Sequence, residues 1–304
     1  MSRIFHISIA IVLVALQHMV GHAQGCSDAG ICTAPTIRLT DTSVLSGSNK
    51  NTITAGTVFG TAQYNVTSLG INAEYVRRLG KLTISGKVLY AFVNGPLASN
   101  SGLADAMFTI AYSFNDRFTP MLGLKIPFNN ANVMQNGLPL PMAYQTSLGT
   151  TDLLAGFTYT YHNWGFALAW QQPLAQNNST FFVTDYPAGG IDSRYRSTNG
   201  FERRADALAR VYYNFRFGGS KWLFTPGILP IYHIGDDYWT DKTGTRTSIP
   251  GSQGLTLNTN VALRYTLNKS SYLRFTVGAP VMARKVRPEG LTKFGLIAEY
   301  IVQF

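Results

Sequence analysis

The chain has 304 residues, a formal net charge of +10 from 25 Lys and Arg against 15 Asp and Glu, and only 13% charged residues. Few charges, many Tyr and Phe, 29 Gly and almost no helical periodicity favour one β domain over two ordinary ones, and a mean hydropathy of +0.03 fits a barrel whose strands face lipid on one side and water on the other. No stretch reaches the ~20 apolar residues of a spanning helix, which excludes an α-helical membrane protein.

Taken from the N-terminus, Ser2-Arg3 is a short basic start, Ile4 to Val20 is apolar with polar interruptions, and Gly21-His22-Ala23 has the small-residue pattern of a cleavage site. Residues 1–23 therefore read as an export leader. Nucleic acid is then the wrong partner for the basic excess, and anionic lipopolysaccharide or an anionic solute is the better one. Residues 24–51 are too polar for a barrel wall and read as a periplasmic segment or plug. They carry both cysteines, Cys26 and Cys32, a pair expected to form one disulfide loop in an oxidising compartment. Ala23-Gln24-Gly25 lacks the aliphatic residue of a lipoprotein site, and no His or Cys cluster completes a zinc site, so neither a metal nor a cofactor is expected.

Residues 52–304 read as an all-β, up-and-down antiparallel barrel of about twelve strands, with fourteen as the alternative. Strands fall near 52–63, 67–79, 81–93, 103–114, 117–128, 147–161, 164–173, 201–217, 221–233, 254–267, 271–279 and 289–304, each assigned from its period-two pattern. In Leu255 to Leu267 the odd positions are almost all apolar and the even ones polar, and Trp164, Phe166, Leu168 and Trp170 alternate with small or polar residues. Short connections at Gly80, Asn115-Asp116, His162-Asn163, Gly218-Gly219-Ser220 and Asn268-Lys269-Ser270 alternate with longer ones at 94–102, 129–146, 174–200, 234–253 and 280–288. The exception is the brief Tyr64-Asn65-Val66. Short periplasmic turns and long extracellular loops are the plan of outer-membrane barrels, with outer-membrane lipid and lipopolysaccharide as surroundings. Tyr90, Phe92, Tyr159, Tyr161, Trp164, Trp222 and Phe224 lie where interfacial girdles belong. The last strand, with Tyr300, Val302 and Phe304 on one face, resembles the closing-strand signal that barrel-assembly machinery reads.

With the apolar phase outward, the inward phase carries Glu74, Arg78, Lys87, Asp105, Lys125, Asp152, Glu202, Arg204, Asp206, Arg210, Arg216, Arg264, Arg274, Lys293 and Glu299 as candidate lumen-lining residues. These read either as ladders of opposite charge that brace a narrow barrel or as a polar path with weak anion preference for a small-molecule solute. His233, followed by Asp236 and Asp237, has the elements of a general base, but no serine has a nucleophile context. A catalytic role is not expected, and a lipid hydrolase or an adhesive barrel stands behind a channel. Three nearby acids, Asp236, Asp237 and Asp241, could hold a cation or be merely solvated.

Leu122 to Phe128 with its Lys-Ile-Pro ending, the loop through Pro139 and Pro141, and Gln145-x-x-x-Gly149-Thr150-x-Asp152 leading into Leu153 to Phe157 resemble the long-chain fatty-acid outer-membrane transporter superfamily, most nearly its aromatic-hydrocarbon branch. Gln171-Gln172-Pro173-Leu174 and the Asn-containing loop are similar to exported barrel proteins of that group in the Bacteroidetes. The resemblance covers about 120–180. It implies a barrel that passively admits hydrophobic or aromatic small molecules through loop pockets and past an N-terminal plug.

Overall fold

Strands that are apolar on one face and polar or small on the other can bury neither face alone, and closing them into a cylinder removes the free sheet edges. In a computed structural model, which describes residues 50–219, 221–290 and 292–304, this chain does so. Its strands are β1 (Asn51–Ala62), β2 (Thr67–Leu79), β3 (Leu82–Asn94), β4 (Ser99–Tyr112), β5 (Phe118–Pro127), β6 (Met134–Gln135), β7 (Leu138–Pro139), β8 (Thr151–Tyr161), β9 (Trp164–Ala175), β10 (Asp206–Tyr213), β11 (Phe215–Phe217), β12 (Trp222–His233), β13 (Tyr238–Thr240), β14 (Arg246–Ser248), β15 (Gly254–Thr266), β16 (Ser271–Met282) and β17 (Thr292–Gln303).

All but two small hairpins, β6–β7 and β13–β14, belong to one antiparallel sheet in which consecutive staves pair, β10 pairs β12, and β1 pairs β17. β10 and β11 are two parts of one stave interrupted at Asn214, so the wall has twelve staves. The fourteen-strand alternative is thereby set aside. The seam closes at the chain end, where the Asn51 and Phe304 backbones exchange hydrogen bonds of 2.9 and 3.0 Å. Residues 1–23, most of 24–51, and with them Cys26 and Cys32, lie outside the described residues.

The wall is two-faced along its length. Outward positions such as Ile71, Phe108, Ile110, Leu122, Leu168 and Phe275 are 44–61% exposed, while Asn72, Thr109, Ala167 and Arg274 beside them are buried. A belt of such large apolar side chains is a liability in water and an asset in lipid. At the end with the short turns the outer rings touch: Trp164 meets Tyr213 at 4.9 Å, and Trp222 meets Tyr265 at 4.4 Å. Between β10 and β12 the ladder skips Ala209 and Arg210, next to Pro230, which has no N–H to offer and instead lies opposite Leu257 of β15.

At the other end the long loops fold over the mouth. Ala131, Met142, Phe201 and Ile249, from three different connections, are at most 3% exposed and form one apolar cluster, with Leu148, Trp239 and Val286 packed on it. A second cluster joins Leu140 and Tyr144 to Val66, Val93 and Ala98 at the rim. The Tyr144 hydroxyl accepts a hydrogen bond from the Leu97 N–H at 3.2 Å. A packed cap therefore covers the long-loop end of the barrel.

Two sequence expectations are corrected by the fold. The strand expected over 201–217 begins only at Asp206, because Phe201 is buried in the cap and Glu202 bridges Tyr238 of β13. The one expected over 147–161 begins at Thr151, because Gln145, Ser147 and Thr150 turn inward under the loops.

Candidate functional site: the lumen and its cap

Because side chains alternate along each stave, one phase of all twelve lines the interior, and that interior differs from side to side. On β4, β5, β8, β9, β10 and β12 the inward positions include Met107, Ala111, Met121, Leu154, Ala167, Ala169, Leu208 and Leu229, a continuous buried apolar cluster. On β1, β2, β3, β15, β16 and β17 they include Thr54, Asn72, Glu74, Ser85, Asn258, Asn260, Arg274 and Glu299, all buried. The apolar cluster thus shares the inward phase of its staves with Thr109, Lys125, Asp152, Gln171 and Arg210, while the inward phase of the other six staves is mostly polar.

The polar half is braced by pairs. Arg274 meets Glu299 across β16–β17 at 2.6 Å. Glu74 lies opposite Lys87 in the β2–β3 register, and Arg264 stacks over Tyr272 at 5.4 Å. Arg210 is buried in mid-wall, whereas Arg216 is exposed near the short turns and Lys293 near the cap. Arg78 sits half-buried on the inward phase of β2 near its short-turn end.

Beneath the cap the charges are denser. The ammonium of Lys125 pairs with Asp152 Oδ2 at 2.9 Å and donates to Thr150; Gln171 donates to the same Asp152 oxygen at 2.5 Å. Asp105 accepts from Ser147 at 2.6 Å. Next to them Arg203 pairs with Asp206, and His233 stands between two carboxylates, its Nδ1 2.7 Å from Asp206 and its Nε2 2.7 Å from Asp237. Arg284 and Arg287 both pair with Glu289, and Arg284 also donates to the Ser252 carbonyl at 2.7 Å. Burial alone would lower the Arg203 pKa, but Asp206, Asp152, Glu289 and Asp237 outweigh it and hold the guanidinium above its ordinary value. Burial would likewise raise Glu289, yet Arg284, Arg287, Arg203 and His233 outweigh that and hold its carboxyl at about 2.

Two of the sequence candidates stand elsewhere. Glu202 and Arg204 precede β10 on the outer side of the cap, where Glu202 accepts two-pronged bonds from Arg246 and Arg204 lies over Tyr238 at 5.2 Å. Their neighbour Arg203, not singled out from the sequence, is the one that turns in. Arg284, Glu289 and Ser252 were also invisible, since loops carry no periodic signal and their partners are remote in sequence. His233 has both ring nitrogens taken by carboxylates, so its imidazole does not meet Ser252, whose Oγ donates to the Ile249 carbonyl at 2.7 Å and lies 3.4 Å from Asp236. Asp236 caps the Gly251 and Gln253 amides, and Asp241 folds onto Thr243 and Thr245 of its own turn. Those acids do not converge, and among the described residues no group of three metal-ligating side chains does.

A closed twelve-stave antiparallel barrel with an outward apolar belt, touching aromatic rings at its short-turn end and a packed loop cap has the architecture of the outer-membrane β-barrels. Its fold is similar to that of the COG4313 outer membrane channel from Pseudomonas putida F1, with 16% identity and a TM-score of 0.57 over 85% of this chain and 96% of that one. Looser likenesses are the CymD monoaromatic hydrocarbon channel, 9% identical with a TM-score of 0.44 over 94% and 95% of the two chains, and the P. putida toluene transporter TodX, 9% identical with 0.43 over 92% and 95%. No family model matches the sequence, and no curated protein does.

Proposed function

We propose that the protein is an outer-membrane channel that admits small molecules with apolar bodies by passive uptake, its short turns in the periplasm and its cap outside. The observation that carries this reading is the contiguous inward cluster of Met107, Met121, Leu154, Leu208 and Leu229: these side chains are packed inside the barrel at no more than 7% exposure, and a water-filled path for ions has no use for them, whereas an apolar solute that parts them meets apolar surface. The likeness in fold to an outer membrane channel supports the same reading.

Location has its own test. Leu122, at the middle of β5, is 61% exposed. In lipid vesicles Leu122→Arg is expected to cost about 2–4 kcal/mol of folding free energy, the cost of a lipid-facing arginine near the bilayer midplane, read as a lower urea midpoint. A wall that faced water would tolerate it. On this reading the machinery that inserts the barrel recognises Tyr300, Val302 and Phe304.

Function is tested by uptake of a labelled aromatic hydrocarbon into cells that express the protein, beside planar-bilayer recording. The expected result is uptake with little ohmic conductance, reduced about tenfold by Leu154→Asn, which puts an amide with no assured partner into the cluster, with folding verified by heat-modifiability. Stable ohmic conductance without uptake would instead favour the polar porin of weak anion preference that the lumen's arginines suggest.

A further inference from the structure

We infer that Asp206, His233 and Asp237 form a proton-dependent clamp that holds the cap shut, and that raising the pH at the long-loop end releases it. This concerns the cap alone and stands whichever solute passes. His233 is the last residue of β12 and is 1% exposed. One of its carboxylates, Asp206, belongs to the adjacent stave β10; the other, Asp237, belongs to the loop that carries β13 and β14. The ring therefore ties that loop to the wall.

Hydrogen-bond stoichiometry makes the tie depend on a proton. A neutral imidazole has one N–H and one lone pair, and an ionised carboxylate can only accept. Two 2.7 Å contacts to two carboxylates are both hydrogen bonds only if a proton beyond the neutral complement is present. Both carboxylates already serve other donors: Asp206 Oδ2 is paired with the Arg203 guanidinium, and Asp237 Oδ1 accepts from the Arg204 N–H at 2.9 Å. Those donors favour ionised acids, which places the extra proton on the ring as imidazolium.

The charged groups facing the clamp come from every neighbouring element. Arg203 approaches from the loop before β10, with Asp152 of β8 and its partner Lys125 of β5 beyond it. Arg284 and Glu289 approach from the connection between β16 and β17, with Arg287 on Glu289. Asp105 of β4 stands behind Lys125, and Asp236 is turned away onto Gly251 and Gln253. When the ring gives its proton to hydroxide, one nitrogen lone pair confronts a carboxylate oxygen in a site closed to water. Asp206 is fixed in the wall by the pairing of β10 with β9 and β12, so the element that yields is the Asp237 loop. Lys242 and Arg246, in that loop and exposed, report its release as tryptic sites.

The geometry also supplies a discriminating variant. Asp206 uses separate oxygens for Arg203 and His233, so Asp206→Asn can keep its carbonyl on the guanidinium and turn its amide N–H toward a neutral ring, whose remaining N–H serves Asp237. The full-length protein in lipid vesicles would be treated with trypsin between pH 6 and 9, each rate at a given pH being divided by that of Asp206→Asn. The wild-type ratio should be near one at pH 6 and rise about tenfold by pH 9, the scale of leaving a buried charged contact unmet; His233→Gln should be loose at both ends of the range. Heat-modifiability of each variant shows that the barrel is intact, and conductance or uptake measured across the same range should rise with the cleavage. A wild-type ratio that stays flat, or a His233→Gln protein that follows the wild-type pH profile, would overturn the clamp.

Discussion

Arg203→Ala is expected to destabilise the barrel by about 3–5 kcal/mol, the cost of breaking a buried ion pair from one side. The side chain is 3% exposed and pairs with Asp206, while Asp152, Glu289 and Asp237 all act on its charge. Alanine leaves Asp206 Oδ2 buried without its guanidinium and removes a positive charge that Asp152, Glu289 and Asp237 also feel. Arg203→Lys should recover part of the loss, because the pair rests on one contact, from Nη2 to Asp206 Oδ2, that an ammonium can also make. Arg246→Ala is the comparison: its bidentate bond to Glu202 is outside and solvated, and its loss should leave the urea midpoint in vesicles unchanged. The acid side of the same cluster is set by Glu289, held at about 2 against an ordinary 4.5. A depressed carboxyl contributes stability that is present above the unfolded value and is lost as the pH falls through the folded one. Unfolding of the cap by acid should therefore begin only below about pH 4.5 and progress toward 2.

The cluster also shows where reading from sequence stops. The staves were legible because lipid and lumen impose strict alternation: 254–267 and 271–279 appear as β15 and β16, and the alternation that ends at Phe304 is the strand that pairs with β1. Charges on regular staves followed, since parity alone puts Glu74, Lys125, Asp152 and Glu299 on one face. Parity failed at Glu202 and Arg204, where an extended segment packs against the cap and not against a neighbouring stave. The apolar cluster was hidden for a related reason. Leu154, Leu208 and Leu229 fall on the inward phase, and a rule that assigns apolar residues to lipid treats them as irregularities until neighbouring staves are set in register. His233 could be seen beside Asp237 in sequence, but Asp206, 27 residues earlier, comes to it only through the pairing of β10 with β12.

The same register explains a large effect expected of one wall substitution, Gly165→Val. Valine is a residue strands favour, and Gly165 is not among the glycines with positive φ, so neither propensity nor backbone strain forbids it. The obstacle is across the ladder. Gly165 is paired with Tyr212, whose ring lies over the glycine so closely that the three atoms nearest a Cβ there all belong to it. Tyr212 is itself 3% exposed and packed on Ala262 across the lumen side of β15, so it cannot swing away without opening a second gap. Gly165→Val should therefore yield no heat-modifiable barrel, with the protein degraded or left in aggregates. Because the three nearest atoms all belong to the ring, Gly165→Val combined with Tyr212→Ala should fold again, at a stability below the parent by about 3–5 kcal/mol for the lost aromatic packing. Normal folding of the single variant, or failure of the pair to recover it, would show that the ring over Gly165 is not what fixes the β9–β10 register.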